Sequence, residues 1–169
     1  MEYGGTMRGS KRVIRLIAIC LMLALTLGVC GCKKDTRTEE DFKNEATELS
    51  YYLIRRIFIA DYDSVSRYIS SDDKDKVRPI ITNMDTRLYK DAQVSETMVY
   101  TDPETYQTEI EYRITLSFDR NTKSFYCQMT MTRSGSSWKL SNAVPFCLDM
   151  GTINETYVNG KIEDDNAKR

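Results

Sequence analysis

A chain without a single histidine has few ways to do chemistry. Ser-His-Asp and Cys-His nucleophiles are excluded, and so are histidine-based zinc sites and imidazole proton shuttles. Cys127 and Cys147 are too few and too far apart for a four-cysteine metal site. No glycine-rich phosphate loop is present. The run Asp72-Asp73-Lys74-Asp75 lacks the glycine and closing glutamate of a calcium loop, and reads as a solvated helix start. No cofactor and no metal are implied. What remains is an acid and a phenol. If "QVSETMVYT" alternates with Val94, Met98 and Tyr100 inward, Glu96 turns inward with them, and the "PETYQ" loop sets it across from Tyr112. A desolvated carboxylate beside a phenol can move a proton next to a carbonyl, because burial raises the acid's pKa. The plainer arrangement is a glutamate at an open rim, bonded to that tyrosine or to solvent. Among the eleven tyrosines, Tyr51, Tyr52 and Tyr62 suggest a stacking platform for sugars. Adjacent helical tyrosines more often put one ring in the core and one on its rim.

Cysteines also stand at 30 and 32, in "LGVCGCKKD". Upstream, Arg8, Lys11, Arg12 and Arg15 precede an uncharged run from Leu16 to Val29, the pattern of a secretory signal peptide. That run is about 14 residues, short of the roughly 20 a helix needs to span a bilayer. Met1 to Thr6 read as a spare leader ahead of Met7. No Ala-x-Ala site closes the run. Its end, Val29-Cys30-Gly31-Cys32, resembles the lipobox of bacterial lipoproteins. The resemblance implies that Cys32 is diacylated and becomes the N-terminus once residues 1–31 are removed. Cys30 would place a valine at the cleavage position, which that family rarely tolerates. Acyl chains contribute roughly 0.8 kcal/mol per buried methylene, so two or three would hold the chain at the extracytoplasmic face of the cell membrane. Cleavage takes Lys+Arg from 24 to 20 and Asp+Glu from 25 to 24, a net charge of −4. An acidic domain argues against a nucleic-acid partner, and against electrostatic docking on lipid beyond Lys33 and Lys34.

The elements that must position these groups come next. Residues 32–38 read as a tether, 39–149 as a single α+β domain, and 150–169 as a ragged polar tail. Thr38 and Asp41 form a capping box ahead of a helix with Phe42, Ala46, Leu49, Leu53, Ile57 and Ala60 on one face. Asp63 caps a short second helix carrying Val65, Tyr68 and Ile69. Ser71 caps a third with Val77, Ile80, Ile81, Met84 and Leu88 inward, its regular part beginning near Pro79. Strict alternation follows. In "TEIEYRITLSFD", Ile110, Tyr112, Ile114, Leu116 and Phe118 share one face, and "KSFYCQMTMTR" alternates likewise. "SWKLSNAVPF" supplies another strand and "QVSETMVYT" a weaker one.

Three helices packed on one face of a curved four-stranded antiparallel meander, ending in Gly135, Trp138, Lys139 and Leu140, resemble the nuclear transport factor 2-like fold. That resemblance implies a cone enclosing a pocket. Its members include dehydratases, isomerases that use an acid and a phenol, ligand-binding modules, and extracytoplasmic assembly domains of conjugation and secretion machines. The expectation is a non-enzymatic binding or assembly module at the membrane surface, held by its acyl chains and contacting a protein of such an assembly. The alternative is a small isomerase using Glu96 and Tyr112. An open pocket with Glu96 at its base favours the enzyme; a cone filled by Met129, Met131 and Trp138 favours the scaffold.

Register bears on the remaining thiols. Pairing Phe118 with Phe125 sets Leu116 opposite Cys127 and Ile114 opposite Met129; a turn at 134–137 then sets Leu140 opposite Met131 and Val144 opposite Cys127. Cys127 becomes a free core thiol. Cys147 falls on the other face, too far for a disulfide unless Pro145 marks a bulge.

Overall fold

The computed structural model describes residues 37–167. The expected signal peptide, the residues that resemble a lipobox with Cys32, and most of the expected tether lie outside the described residues. Helix α1 (Glu39–Phe58) begins as the capping box requires: the Thr38 hydroxyl accepts from the Asp41 N–H, and the Asp41 carboxylate accepts from the Thr38 N–H. Acids fill its first turn and Arg55 and Arg56 its last, complementing the helix dipole. Phe42, Ala46, Leu53 and Ile57 are buried as expected, together with Ser50, Ile54 and Phe58. Ala60 lies past the helix end, at φ 59°, where the chain turns.

Helix α2 (Tyr62–Ser66) is capped by Asp61, not Asp63. The Asp61 carboxylate accepts from the Ser64 N–H and hydroxyl, which hold its pKa below the ordinary value. Helix α3 (Ser71–Thr82) runs straight through Pro79, against the expectation that its regular part starts there. The missing N–H orphans the carbonyl of Asp75, and both residues face solvent, so water can serve that carbonyl. Leu88 belongs to a separate turn of helix, α4 (Leu88–Asp91).

Four strands follow: β1 (Ala92–Thr101), β2 (Thr108–Ser117), β3 (Thr122–Ser134) and β4 (Ser137–Leu140). They form one curved antiparallel sheet in the order β1-β2-β3-β4. The architecture is α+β, with one buried sheet face. The β2–β3 register is four residues tighter than expected: Tyr112 opposes Cys127, Ile110 opposes Met129 and Ile114 opposes Phe125. The cause is the turn. Ser117 already pairs with Thr122, and the Phe118 N–H donates to the Asn121 carbonyl at 2.8 Å. Because four is an even shift, every residue keeps its face. Leu140 opposes Met131 as expected.

Two expectations fail beyond Leu140. The last strand stops there, so Val144 has no place opposite Cys127. Residues 143–167 form helix α5, with Pro145 in its first turn, where a missing N–H is tolerated. The polar tail from 150 is therefore not ragged. Ala143, Phe146, Cys147, Met150, Ile153 and Tyr157 form a buried stripe at helical spacing. Farther along, an added Cβ at Gly160 would come within 2.2 Å of the Phe118 ring, so only glycine admits this approach. The stripe is thin, six residues among many polar ones, which hides it in composition. Helices α1 and α5 both pack against the sheet, and Met129, Met131 and Trp138 are buried in the core. Among the described residues, no helix is long and apolar enough to cross a membrane.

Candidate functional site

Strand β1 is where the expected pair meets its test. Glu96 does oppose Tyr112, but a bulge between Glu96 and Met98 shifts the pairing, so that Met98 opposes Glu111 and Tyr100 opposes Glu109. Val94 and Glu96 therefore keep the inner face, while Met98 and Tyr100 turn outward and are 51% and 56% exposed. The expectation that all four share one face is corrected at Thr97.

Register neighbours have unlike surroundings here. Tyr112 is fully buried, and its hydroxyl bonds to the Ser50 side chain. Ser50 Oγ donates to the Thr47 carbonyl at 2.7 Å, so the proton between the two hydroxyls comes from Tyr112. Burial pushes the Tyr112 phenol well above its ordinary value. Glu96 is exposed. Its N–H donates to the Tyr51 hydroxyl at 3.2 Å, and the Tyr51 ring meets Tyr112 edge-on at 5.2 Å. The phenol has already committed its proton, and the carboxylate is not desolvated. Trp138 lies in the core, its Nε1 donating to Glu45 at 3.1 Å.

The tyrosine platform divides as well. Tyr62 is buried under the Arg78 guanidinium and donates to the Lys74 carbonyl. On α1, Tyr51 is half-buried against the core and Tyr52 is exposed. Cys127 and Cys147 are free and buried, and burial pushes each thiol up to about 12. Cys127 is thus a core thiol as expected. Cys147 is also in the core, because it sits on a helix rather than on the outer face of a strand. Among the described residues, no cluster of three or more His, Cys, Asp or Glu side chains is placed to hold a metal ion.

A concavity lies between α1 and the β1 edge. Tyr51, Ile54, Arg55 and Phe58 form one wall, and Tyr89, Ala92 and Val94 the other, around about 290 Å³. Past Tyr51 and Arg55 the groove continues into a shallower depression of about 460 Å³ lined also by Glu48 and Tyr52. Helical spacing explains the first wall: residues 51, 54, 55 and 58 lie on adjacent turns of one face. The second arises because α4 feeds directly into β1, bringing Tyr89 beside Val94. Among the described residues, Arg55 is the only charged one lining the 290 Å³ groove, and no carboxylate pairs with it; Arg56, its neighbour, pairs with Asp61. An aromatic-walled groove with one uncompensated guanidinium can hold an apolar ligand carrying an anionic group.

Sequence reasoning found Tyr51 and Tyr52 and missed Arg55, Tyr89 and the role of Val94. The one available signal was Arg55 following Tyr51 by four residues, which puts both on one face. No family model matches the chain, and neither a curated protein nor a solved structure matches it.

Proposed function

We propose that this chain is a lipid-anchored extracytoplasmic protein whose domain is a non-enzymatic binding or assembly module, engaging its partner in the α1–β1 groove. The anchor rests on the lipobox resemblance at Val29-Cys30-Gly31-Cys32. The nuclear transport factor 2-like reading of the domain is supported by helices lying on the buried face of a curved four-stranded meander. The observation that carries the binding role is the groove itself: three tyrosines and two apolar helix residues surround Arg55, which has no carboxylate in ion-pair contact among the described residues, although Glu48 lines the adjoining depression. An interior filled by Met129, Met131 and Trp138 supports a module that binds at its surface rather than inside a cone. The isomerase alternative rests on the register pairing of Glu96 with Tyr112 alone. Against it stand the exposure of Glu96 and the Tyr112 proton already given to Ser50.

Two measurements in intact cells test the proposal. Metabolic labelling with a clickable fatty acid should mark the wild type and Cys30→Ser but not Cys32→Ser; label retained in Cys32→Ser sinks the anchor. A photo-crosslinking side chain at Tyr89 should give a discrete adduct that Arg55→Glu abolishes, while the same probe at Ile162, on α5, should give none. Equal adducts from both positions would remove the groove from the function.

A further inference from the structure

The groove runs beside a sheet edge, and the hydrogen bonds along that edge are unevenly used. Residues of an antiparallel strand point their N–H and C=O alternately toward and away from the partner strand. Three bonds fix the phase in β1. The Glu96 N–H goes to the Tyr51 hydroxyl on α1, and the Ala92 N–H goes to the Leu88 carbonyl, so both point away from β2. The Ser95 hydroxyl, by contrast, reaches the Arg113 carbonyl, which points toward β1. Val94 lies two residues from each of the outward pair, so its N–H and C=O also face outward. Among the described residues nothing bonds them.

The edge therefore presents a short window. It is closed at one end by Leu88 and at the other by Tyr51, about 14 Å apart at the rise of an extended strand. Inside the window stand the N–H and C=O of Val94, and they open onto the groove lined by Ile54, Phe58, Tyr89 and Arg55. We infer, on the basis of the binding role proposed above, that an extended segment of a partner protein adds to β1 at Val94 as a further strand, seating an internal Asp or Glu side chain on Arg55.

Three features select this occupant. Free main-chain donors and acceptors beside an apolar groove recognise an extended backbone, with alternate side chains turned into the groove. Charge decides the anchoring side chain: among the described residues Arg55 is the one charge lining the 290 Å³ part of the groove, and its fork geometry suits a carboxylate. Glu48, the nearest acid of the adjoining depression, lies seven residues back, about 10 Å along the helix axis, and leaves the Arg55 end positive. Continuation of the groove past Arg55 requires a chain that passes through, which favours an internal acid over a terminal carboxylate.

A library of random nonapeptides, displayed between two fixed flanking domains, tests the inference with the purified full-length protein in detergent. Selection on the wild type should enrich alternating apolar residues with Asp or Glu at one fixed position. Arg55→Glu should reverse that preference to Lys or Arg, and Arg55→Ala should weaken the selected peptides at least tenfold. The backbone is read separately. Adding a selected peptide should slow hydrogen exchange at the Val94 amide more than tenfold while leaving Gln93 and Ser95, which already face β2, nearly unchanged. Val94→Pro should abolish binding with the fold retained by circular dichroism, since a proline whose N–H would face outward is tolerated on an edge strand. Peptides that need Arg55 and Tyr89 but leave Val94 exchange unchanged would overturn strand addition while keeping the groove. Failure to enrich any peptide above an Arg55→Glu, Tyr89→Ala control would overturn both.

Discussion

The two edges of the sheet are finished in opposite ways. On the far side, β3 outruns its partner, since β4 ends at Leu140 while Gln128 and Thr130 still need bonds beyond it. The residues leading into α5 supply them. Asn142 accepts from the Thr130 N–H and donates to the Gln128 carbonyl, both at 2.8 Å, and the Ser141 N–H donates to the Thr130 carbonyl. One side-chain amide thus imitates the strand that is not there. On the near side, Leu88 and Tyr51 close the ends of the β1 window and leave Val94 between them open. Proteins commonly cover or blunt sheet edges because free edges invite unwanted pairing. Here the covered edge adjoins a helix start, and the open one adjoins the groove. A stretch of edge left open at Val94, beside an aromatic wall, is consistent with recognition rather than with neglect.

Breaking the covered edge should have the largest effect. Thr130→Pro removes an N–H that Asn142 satisfies and forces proline into an inner strand, so a loss of about 3 kcal/mol or more is expected from urea denaturation. Val94→Pro should lose far less, about 1 kcal/mol, from packing alone, because no internal hydrogen bond disappears. Equal losses would mean that Val94 is engaged in the β1–β2 ladder, and the contrast between edges would fail. Side-chain deletions sharpen the comparison at a smaller scale. Asn142→Ala leaves two backbone groups of β3 without partners and should destabilise by about 2 kcal/mol. Tyr51→Phe frees a single N–H that water can reach, so about 0.5 kcal/mol is expected, with faster exchange at the Glu96 amide.

The smallest effect concerns the ties that hold the open edge in place. Asp91, at the junction of α4 and β1, accepts from the Tyr157 hydroxyl at 2.7 Å and pairs with Lys161 at 3.0 Å. The Tyr157 bond first, and then Lys161, hold its carboxyl below the ordinary 3.8. A group depressed on folding stabilises the protein above its unfolded pKa, and that contribution is lost as pH falls through the folded value. The stability difference between wild type and Asp91→Asn should therefore persist at pH 6 and shrink below about pH 4. Because Asp91 is partly open to solvent, the difference should stay under about 1 kcal/mol. A difference that grew as pH fell would contradict the assignment.

Local rules carried the reading of this chain in some places and misled it in others. The Thr38 capping box, the apolar stripe of α1 and the alternation of β2 were legible because each depends on residues a few positions apart. Their buried faces came out as expected, and so did the opposition of Glu96 and Tyr112. The polar residues of 150–167 hid a helix whose six-residue stripe acquires meaning only when a sheet lies beneath it. Composition is a sum, and a stripe is a geometry.

What the sequence by itself determined is therefore the chemistry and the faces: no imidazole, an alternating sheet with one buried side, and a first helix with its cap. Those properties are set residue by residue, by side-chain type and by backbone periods of 3.6 and about 2. Tertiary structure alone decided the four-residue shift between β2 and β3, the bulge at Thr97 that turns Met98 and Tyr100 outward, and the place of Cys147 in the core. It also decided which backbone groups of β1 find partners. Leu88 reaches Ala92 from the preceding turn, but Tyr51 reaches Glu96 from 45 residues away, and Arg55 lines the same groove from α1. An edge is open or closed according to what the rest of the chain packs beside it, and no local pattern carries that information.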